Sequence, residues 1–222
     1  MKRILAGAMS IASVLCLFEL AHAQAVTQRI HGDVASMQGN DLRVKTDSGQ
    51  VISFRLAEKV SITTRSPVKR DAITPGAFIA TTAVPQPDGT LVATELRVFP
   101  ESMRGLGEGH RPMERLPGST MTNATVTSVG PAAKGGAGST MTNATVTDVA
   151  GKGAGRRITV KYSGGEKTIL VNDSASVTKI EDADTSELVP GAHVSVIASK
   201  QMDGSLVAER VTVGKNGYVP PA

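Results

Sequence analysis

The sequence predicts an all-β protein built from two tandem, small antiparallel barrels. The first observation is an internal repeat, because residues 73–98 return 115 positions later as residues 188–213. The second is that each copy contains a Pro-Gly pair, a β-rich run, an Asp-Gly turn and another β-rich run, which is the pattern of a hairpin. The third is that short alternating runs elsewhere are separated by Gly, Asn, Asp and Ser, as in an antiparallel meander.

The N-terminus has the features of a secretory signal peptide. Lys2 and Arg3 precede an apolar run over 4–20, and Ala21-His22-Ala23 is a small-x-small cleavage site. We therefore expect residues 1–23 to be removed during export to the periplasm or the medium. The apolar run is short and interrupted by polar residues, so we expect no membrane span after cleavage.

Cleavage would remove the only cysteine, Cys16, and would lower the net charge from +4 to +3. A chain without thiols has no disulfide, so its stability has to come from packing. The charge is too mild for a concentrated basic face, and aromatic residues make up only 3% of the chain. We therefore expect no nucleic-acid partner, since such partners need basic surfaces or stacking platforms.

The first barrel is predicted over residues 24–100. Alternating runs indicate strands at 26–36, 41–46, 51–57 and 60–64, then a connection with a short helical turn, then a hairpin of 77–84 and 90–98. Asp88-Gly89 supplies the positive φ of the hairpin turn. The alternation changes phase near Thr94-Glu95, which indicates either a bulge or burial on both faces. Closing so small a sheet on itself removes its exposed edges, so each unit is predicted to be an OB-like barrel.

A Gly/Pro-rich linker is predicted over residues 101–138. Glu101, Glu108, His110 and Glu114 form the densest set of potential metal ligands in the chain. Carboxylate plus imidazole suits a divalent ion, and Glu108, His110 and Glu114 are the candidate ligands. Their spacing matches no strong metal motif, so a solvated or packing loop is the alternative. We expect no other cofactor.

A second, shorter repeat lies in this region, since the segment GSTMTNATVT of 118–127 recurs unchanged at 138–147. Only one copy is needed to begin the second barrel, and we predict that 141–149 forms that strand. Residues 120–129 are then a surplus strand, free to pair at an edge, to make a homo-oligomer or to remain loose.

The second barrel is predicted over 139–214, followed by a loose tail over 215–222. Its remaining strands are expected at 157–162, 166–171, 176–180, 192–200 and 205–213. The acidic run 181–187 lacks the spacing of a calcium loop and suits the first turn of a short helix. The Gly-rich run 151–157 lacks the spacing of a phosphate-binding loop and is expected to be a flexible turn.

No catalytic signature is present: the sequence has no nucleophile elbow, no HExxH motif and no dinucleotide fingerprint. Three histidines remain after cleavage, His31, His110 and His193, and none has the neighbours that a catalytic role requires. We therefore expect a non-enzymatic binding or adaptor protein for a small ligand or a periplasmic protein. The alternative is a metal-handling accessory protein that uses the linker glutamates and histidine.

The repeated Pro-Gly-Ala and Asp-Gly motifs, with the linker string FPESMRGLGEGHRPMERLPGSTMTNATV, resemble a family of exported bacterial proteins. Proteins of this family carry tandem copies of an uncharacterised OB-like barrel, a domain of unknown function. The resemblance implies a periplasmic or secreted protein of Gram-negative origin and brings no established site residues with it.

Overall fold

The computed structural model describes residues 27–113, 116–131 and 155–220, and these residues form an all-β architecture. Three short 3₁₀ turns lie at Arg70–Ala72, Glu101–Met103 and Thr185–Glu187. The strands are β1 (Thr27–Gln38), β2 (Asp41–Thr46), β3 (Val51–Pro67), β4 (Phe78–Pro85), β5 (Leu91–Val98), β6 (Gly109–Pro112), β7 (Thr120–Pro131), β8 (Arg156–Tyr162), β9 (Gly165–Val171), β10 (Ser176–Ala183), β11 (His193–Lys200) and β12 (Leu206–Gly214).

The first barrel is a closed ring of five strands in the order β1-β2-β3-β12-β11, and β11 returns to pair with β1. All of these pairs are antiparallel except β3–β12, which is parallel. Closure follows from the need to pair every strand edge. The core of this barrel contains Leu42, Val44, Phe54, Val196 and Val211, all buried.

The second barrel is a ring in the order β7-β8-β9-β5-β4, closed by the antiparallel pair β4–β7. Its parallel pair is β5–β9, and β5 continues alongside β10. The buried core here contains Ile79, Leu96, Ile158, Val160 and Ile169. The antiparallel pair β3–β10 joins the two barrels.

Each barrel combines strands from both halves of the chain. The hairpin β4–β5 belongs to the first sequence repeat, yet it closes the barrel of β7–β9. The hairpin β11–β12 belongs to the second repeat and closes the barrel of β1–β3. The expectation that residues 24–100 and 139–214 each close on their own strands therefore differs from the structure, because the two hairpins are exchanged between the repeats.

Several local predictions are confirmed. The hairpin turns have positive φ at Gly89 and Gly204, and β5 carries a bulge at Thr94, where Thr82 pairs with Glu95 and the next pair is Ala83 with Ala93. The acidic run ends in the predicted short helical turn at Thr185–Glu187. The strands expected at 51–57 and 60–64 are one continuous strand, β3.

The prediction that residues 120–129 form a surplus strand is wrong. They belong to β7, which is paired with β4 along one side and with β6 and β8 along the other. The linker predicted over 101–138 is also wrong where the chain forms β6 and β7, because both are paired strands of the sheet. The competing segment 141–149 and the signal peptide 1–23 lie outside the described residues. Within the described ranges, no helix is long and apolar enough to cross a membrane.

Candidate functional site

The junction of the two barrels, where β3 pairs with β10, is approximately symmetric. Arg65 on β3 lies opposite Ile180 on β10. These residues are 115 positions apart, so each occupies the same place in its own repeat. The parallel pairs that close the two barrels follow the same offset. An approximate twofold axis therefore passes through the Arg65–Ile180 pair.

A partly buried charged network lies on one side of this axis. The Nε of Arg65 donates to Thr178 Oγ1 at 2.9 Å, and its Nη2 pairs with the Glu95 carboxylate. The guanidinium carbon of Arg65 lies 4.7 Å from the centroid of the Tyr218 ring, a cation–π arrangement. Arg97 Nη2 donates to the other Glu95 oxygen at 2.8 Å. The network holds β3, β5 and β10 together.

The carboxylate of Glu95 is the only acidic group in this network. Burial on its own would raise the pKa of Glu95, but hydrogen bonds and attraction from Arg97 and Arg65 outweigh burial and hold the pKa below its ordinary value. Glu95 is therefore ionised at neutral pH and neutralises part of the charge of the two arginines.

The other side of the axis is open. Arg210 occupies the position in the second repeat that Glu95 has in the first, and Ile180 stands where the first repeat has Arg65. The matching ion pair cannot form, and a groove of about 600 Å³ lies there instead. Its walls come from β3, β10, β12 and the connection between β5 and β6. The groove is lined by Ser61, Ser102, Met103, Arg104, Gly105, Leu106, Asp182 and Arg210.

The groove combines a cationic side chain, a hydrogen-bonded carboxylate and an apolar side chain. Arg210 is exposed, and among the residues that the structure describes its side chain has neither an ion pair nor a hydrogen bond. Asp182 accepts a hydrogen bond of 2.6 Å from Ser102 Oγ. Leu106 is 54% exposed and supplies apolar surface. An arginine in this state is suited to the bidentate recognition of a carboxylate or phosphate.

The connection that forms the far wall is fixed in place. Arg104 Nη2 donates to the Gly76 carbonyl at 2.9 Å, its Nη1 donates to Thr125 Oγ1 at 3.2 Å, and the guanidinium also pairs with Glu101. These bonds use most of the donors of Arg104. Arg104 is therefore engaged in holding this connection, and Arg210 is the arginine of the groove lining that has no partner among the described residues.

A smaller cavity of about 230 Å³ lies between the start of the first barrel and the C-terminal segment. Both ring nitrogens of His31 are buried there, and burial followed by the charge of Arg29 lowers the pKa of His31, while the Pro220 backbone opposes this shift. Nearby, His193 Nδ1 pairs with Asp33. In the described ranges, no three His, Cys, Asp or Glu side chains are grouped so as to hold a metal ion.

The structure describes two of the three predicted metal ligands. Glu108 Oε1 accepts a hydrogen bond of 2.7 Å from the Ser163 backbone N–H. His110 on β6 is bonded through Nδ1 to Thr122 Oγ1 at 2.8 Å and stacks on Tyr162, with ring centroids 6.4 Å apart. Glu114 lies outside the described residues. The three-ligand site therefore stays a prediction, and its two described members have other partners.

A family model described as Domain of unknown function (DUF5666) matches residues 144–212. Together with the all-β architecture and the closed barrel, this match fits an uncharacterised domain family. No curated protein and no solved structure matches the chain. The matched range is one sequence repeat, but it contributes β8 and β9 to one barrel, β11 and β12 to the other, and β10 to the junction between them. One sequence repeat therefore does not correspond to one barrel.

The sequence patterns do not predict the groove. Asp182 lies in the acidic run 181–187, and Arg210 lies in the strand predicted over 205–213. One signal was available, since aligning the two repeats places Glu95 opposite Arg210 in an otherwise similar hairpin. A reversal of charge at equivalent positions indicates that the two copies have diverged at that point. It does not show that the position lies at the junction of the barrels.

Proposed function

We propose that this protein is a non-enzymatic binding or adaptor protein whose ligand occupies the groove between the barrels. The observation that carries the proposal is the exposed side chain of Arg210, which lines the groove and has no partner among the described residues. A volume of about 600 Å³ is within the range of small-molecule sites, about 300–1,000 Å³.

The groove favours a ligand with an anionic head and a short apolar part. Arg210 would bind the head through its two-pronged guanidinium. Leu106 and Met103 would pack against the apolar part, and the bond between Ser102 and Asp182 would orient a polar group. A small carboxylate, or the carboxyl end of a peptide, has this combination of groups.

The proposal is for binding without a reaction. The residues that line the groove include no histidine and no cysteine, and their one carboxylate, Asp182, already accepts a hydrogen bond from Ser102. General acid–base or nucleophilic chemistry usually draws on such groups with a partner that activates them.

We further infer that both barrels are OB-like and that the protein works outside the cytoplasm. Five-stranded closure with one parallel pair supports the OB-like assignment. The signal-peptide features of residues 1–23 support export to the periplasm or the medium. The partner would then be a small ligand or a protein of that compartment.

Native mass spectrometry of the protein purified without chelator from its own compartment tests the proposal. We expect a small-molecule adduct on the parent chain and on an Arg55→Ala control, which alters an exposed arginine of β3 that does not line the groove. The adduct should be lost in Arg210→Ala. A bare parent chain, or an adduct that Arg210→Ala retains, would contradict the assignment to the groove.

A further inference from the structure

Strand β7 occupies one position in the second barrel, here called the β7 slot. The residues that are buried at this position occur a second time in the chain. β7 lies between β4 on one side and β6 with β8 on the other. Its side chains at Thr122, Asn123, Ala124 and Val126 are buried. All four belong to the decapeptide 118–127, which recurs letter for letter at 138–147. The second copy therefore carries every buried side chain that this part of the slot holds.

The residues after the decapeptide fit as well. The chain reads Ser-Val-Gly-Pro over 128–131 and Asp-Val-Ala-Gly over 148–151. Ser128 and Pro131 are exposed, so changes there meet no core. A Cβ on Gly130 would meet no heavy atom within 4 Å, so an alanine is accommodated. Val129, which packs against the core, is valine in both segments.

The connections also permit the exchange. With 120–131 in the slot, seven residues (113–119) precede the strand and 24 (132–155) follow it. With 140–151 in the slot these connections would have 27 and four residues. Because the cost of closing a loop grows only with the logarithm of its length, this difference changes the equilibrium by a factor of about two. A four-residue connection is also a common hairpin length.

The family match supplies an independent observation. It begins at residue 144, inside the second decapeptide, and runs continuously into β8 and the strands after it. The matched range therefore includes residues of the second copy and none of β7.

We propose that residues 138–147 are an alternative occupant of the β7 slot in the same chain, so that either copy closes the second barrel. The two copies present the same buried side chains to β4 and β8, and occupancy of the slot by one copy releases the other. This inference does not depend on the groove or on its ligand.

Three aspartate variants test the proposal. Ala124 is completely buried, so an aspartate there excludes the first copy from the slot. Ala124→Asp should lower the melting temperature by no more than about 3 °C, because the second copy replaces the first. Ala144→Asp, the matched control, should do the same. The double variant should lose about 10 °C or more, or fail to fold.

Two results would overturn the proposal. One is an Ala124→Asp protein as unstable as the double variant, which would show that the second copy does not replace the first. The other is an Ala124→Asp protein that is stable only as a dimer by size-exclusion chromatography with light scattering, which would place the replacing strand in another molecule.

Cysteine pairs identify the occupant directly. Thr125 pairs with Lys161 across β7 and β8, and the counterpart of Thr125 is Thr145. In a chain with Cys16→Ser and Ala124→Asp, the pair Thr145→Cys and Lys161→Cys should form a disulfide. It should form as readily as Thr125→Cys with Lys161→Cys does in a chain that carries only Cys16→Ser. A folded Ala124→Asp chain that fails to form the first disulfide would refute the exchange.

Discussion

Replacing Leu96 with alanine tests the exchange of hairpins between the two halves of the chain. Leu96 is fully buried on β5, and it shares its core with Ile158, Val160 and Ile169 of the distant strands β8 and β9. A buried Leu→Ala substitution costs about 2–5 kcal/mol. Because a folded domain is stable by about 5–15 kcal/mol in total, this loss should open the second barrel locally before the first.

Val211 is the matched control, since it occupies the position of Leu96 in the second repeat. It is buried on β12 and shares its core with Leu42, Val44 and Phe54 of β2 and β3. Val211→Ala removes the equivalent of two methylenes, at about 0.8 kcal/mol each, and leaves a small cavity, so a loss of about 2 kcal/mol is expected. This loss should fall on the first barrel.

Hydrogen exchange followed by mass spectrometry distinguishes the two effects. Leu96→Ala should speed exchange in peptides from 156–171 more than in peptides from 41–56, and Val211→Ala should do the opposite. The refuting result is the reverse pattern, in which each substitution loosens the strands of its own half. That pattern would mean that each hairpin closes on its own repeat.

Three other substitutions have defined outcomes. Glu95→Gln leaves the buried guanidinium of Arg65 without its carboxylate and should cost about 2 kcal/mol in urea unfolding, after allowance for the partial exposure of Glu95. Because the pKa of Glu95 is lowered in the folded state, Glu95 contributes to the free energy of unfolding above the unfolded-state pKa of about 4.3, and this contribution is lost as the pH falls through the folded-state pKa. Glu95→Gln should therefore flatten the acidic part of the profile of unfolding free energy against pH. Gly214→Ala would place a Cβ 1.9 Å from the Tyr218 carbonyl oxygen and should release the C-terminal segment to limited proteolysis, whereas an uncut segment would contradict the packing. His110→Ala should cost about 1–2 kcal/mol through its lost hydrogen bond and ring stacking, and a Zn²⁺-induced rise in melting temperature that occurs in the parent and disappears in this variant would support the metal prediction.

Local features were predictable because nearby residues determine them. Both Asp-Gly turns have the expected geometry: the carboxylates of Asp88 and Asp203 accept the backbone N–H two residues on, and a glycine takes the positive φ. The bulge at Thr94 was visible as a change of phase in the alternation of one strand. Each of these features is fixed by residues that are close neighbours in the sequence.

The exchange of hairpins was not predictable, because the two repeats offer each hairpin two similar partners. Alternation shows which face of β5 is apolar and does not show which meander that face covers. For the same reason, the sequence could not show which of the two decapeptides forms β7, since identical sequences have identical propensities. The groove depends on the exchange of hairpins, because Arg210 and Asp182 become neighbours only when β12 closes the barrel of β1–β3 and β10 pairs with β3.

The approximate twofold axis has a consequence for stoichiometry. Two identical subunits around such an axis would have to present two identical clefts and to bind two ligands with linked affinities. Here one cleft is occupied by the protein's own Arg65, and the other contains Arg210. A titration of this protein should therefore reach saturation at one equivalent of ligand per chain, with a hyperbolic curve and a Hill coefficient of about 1.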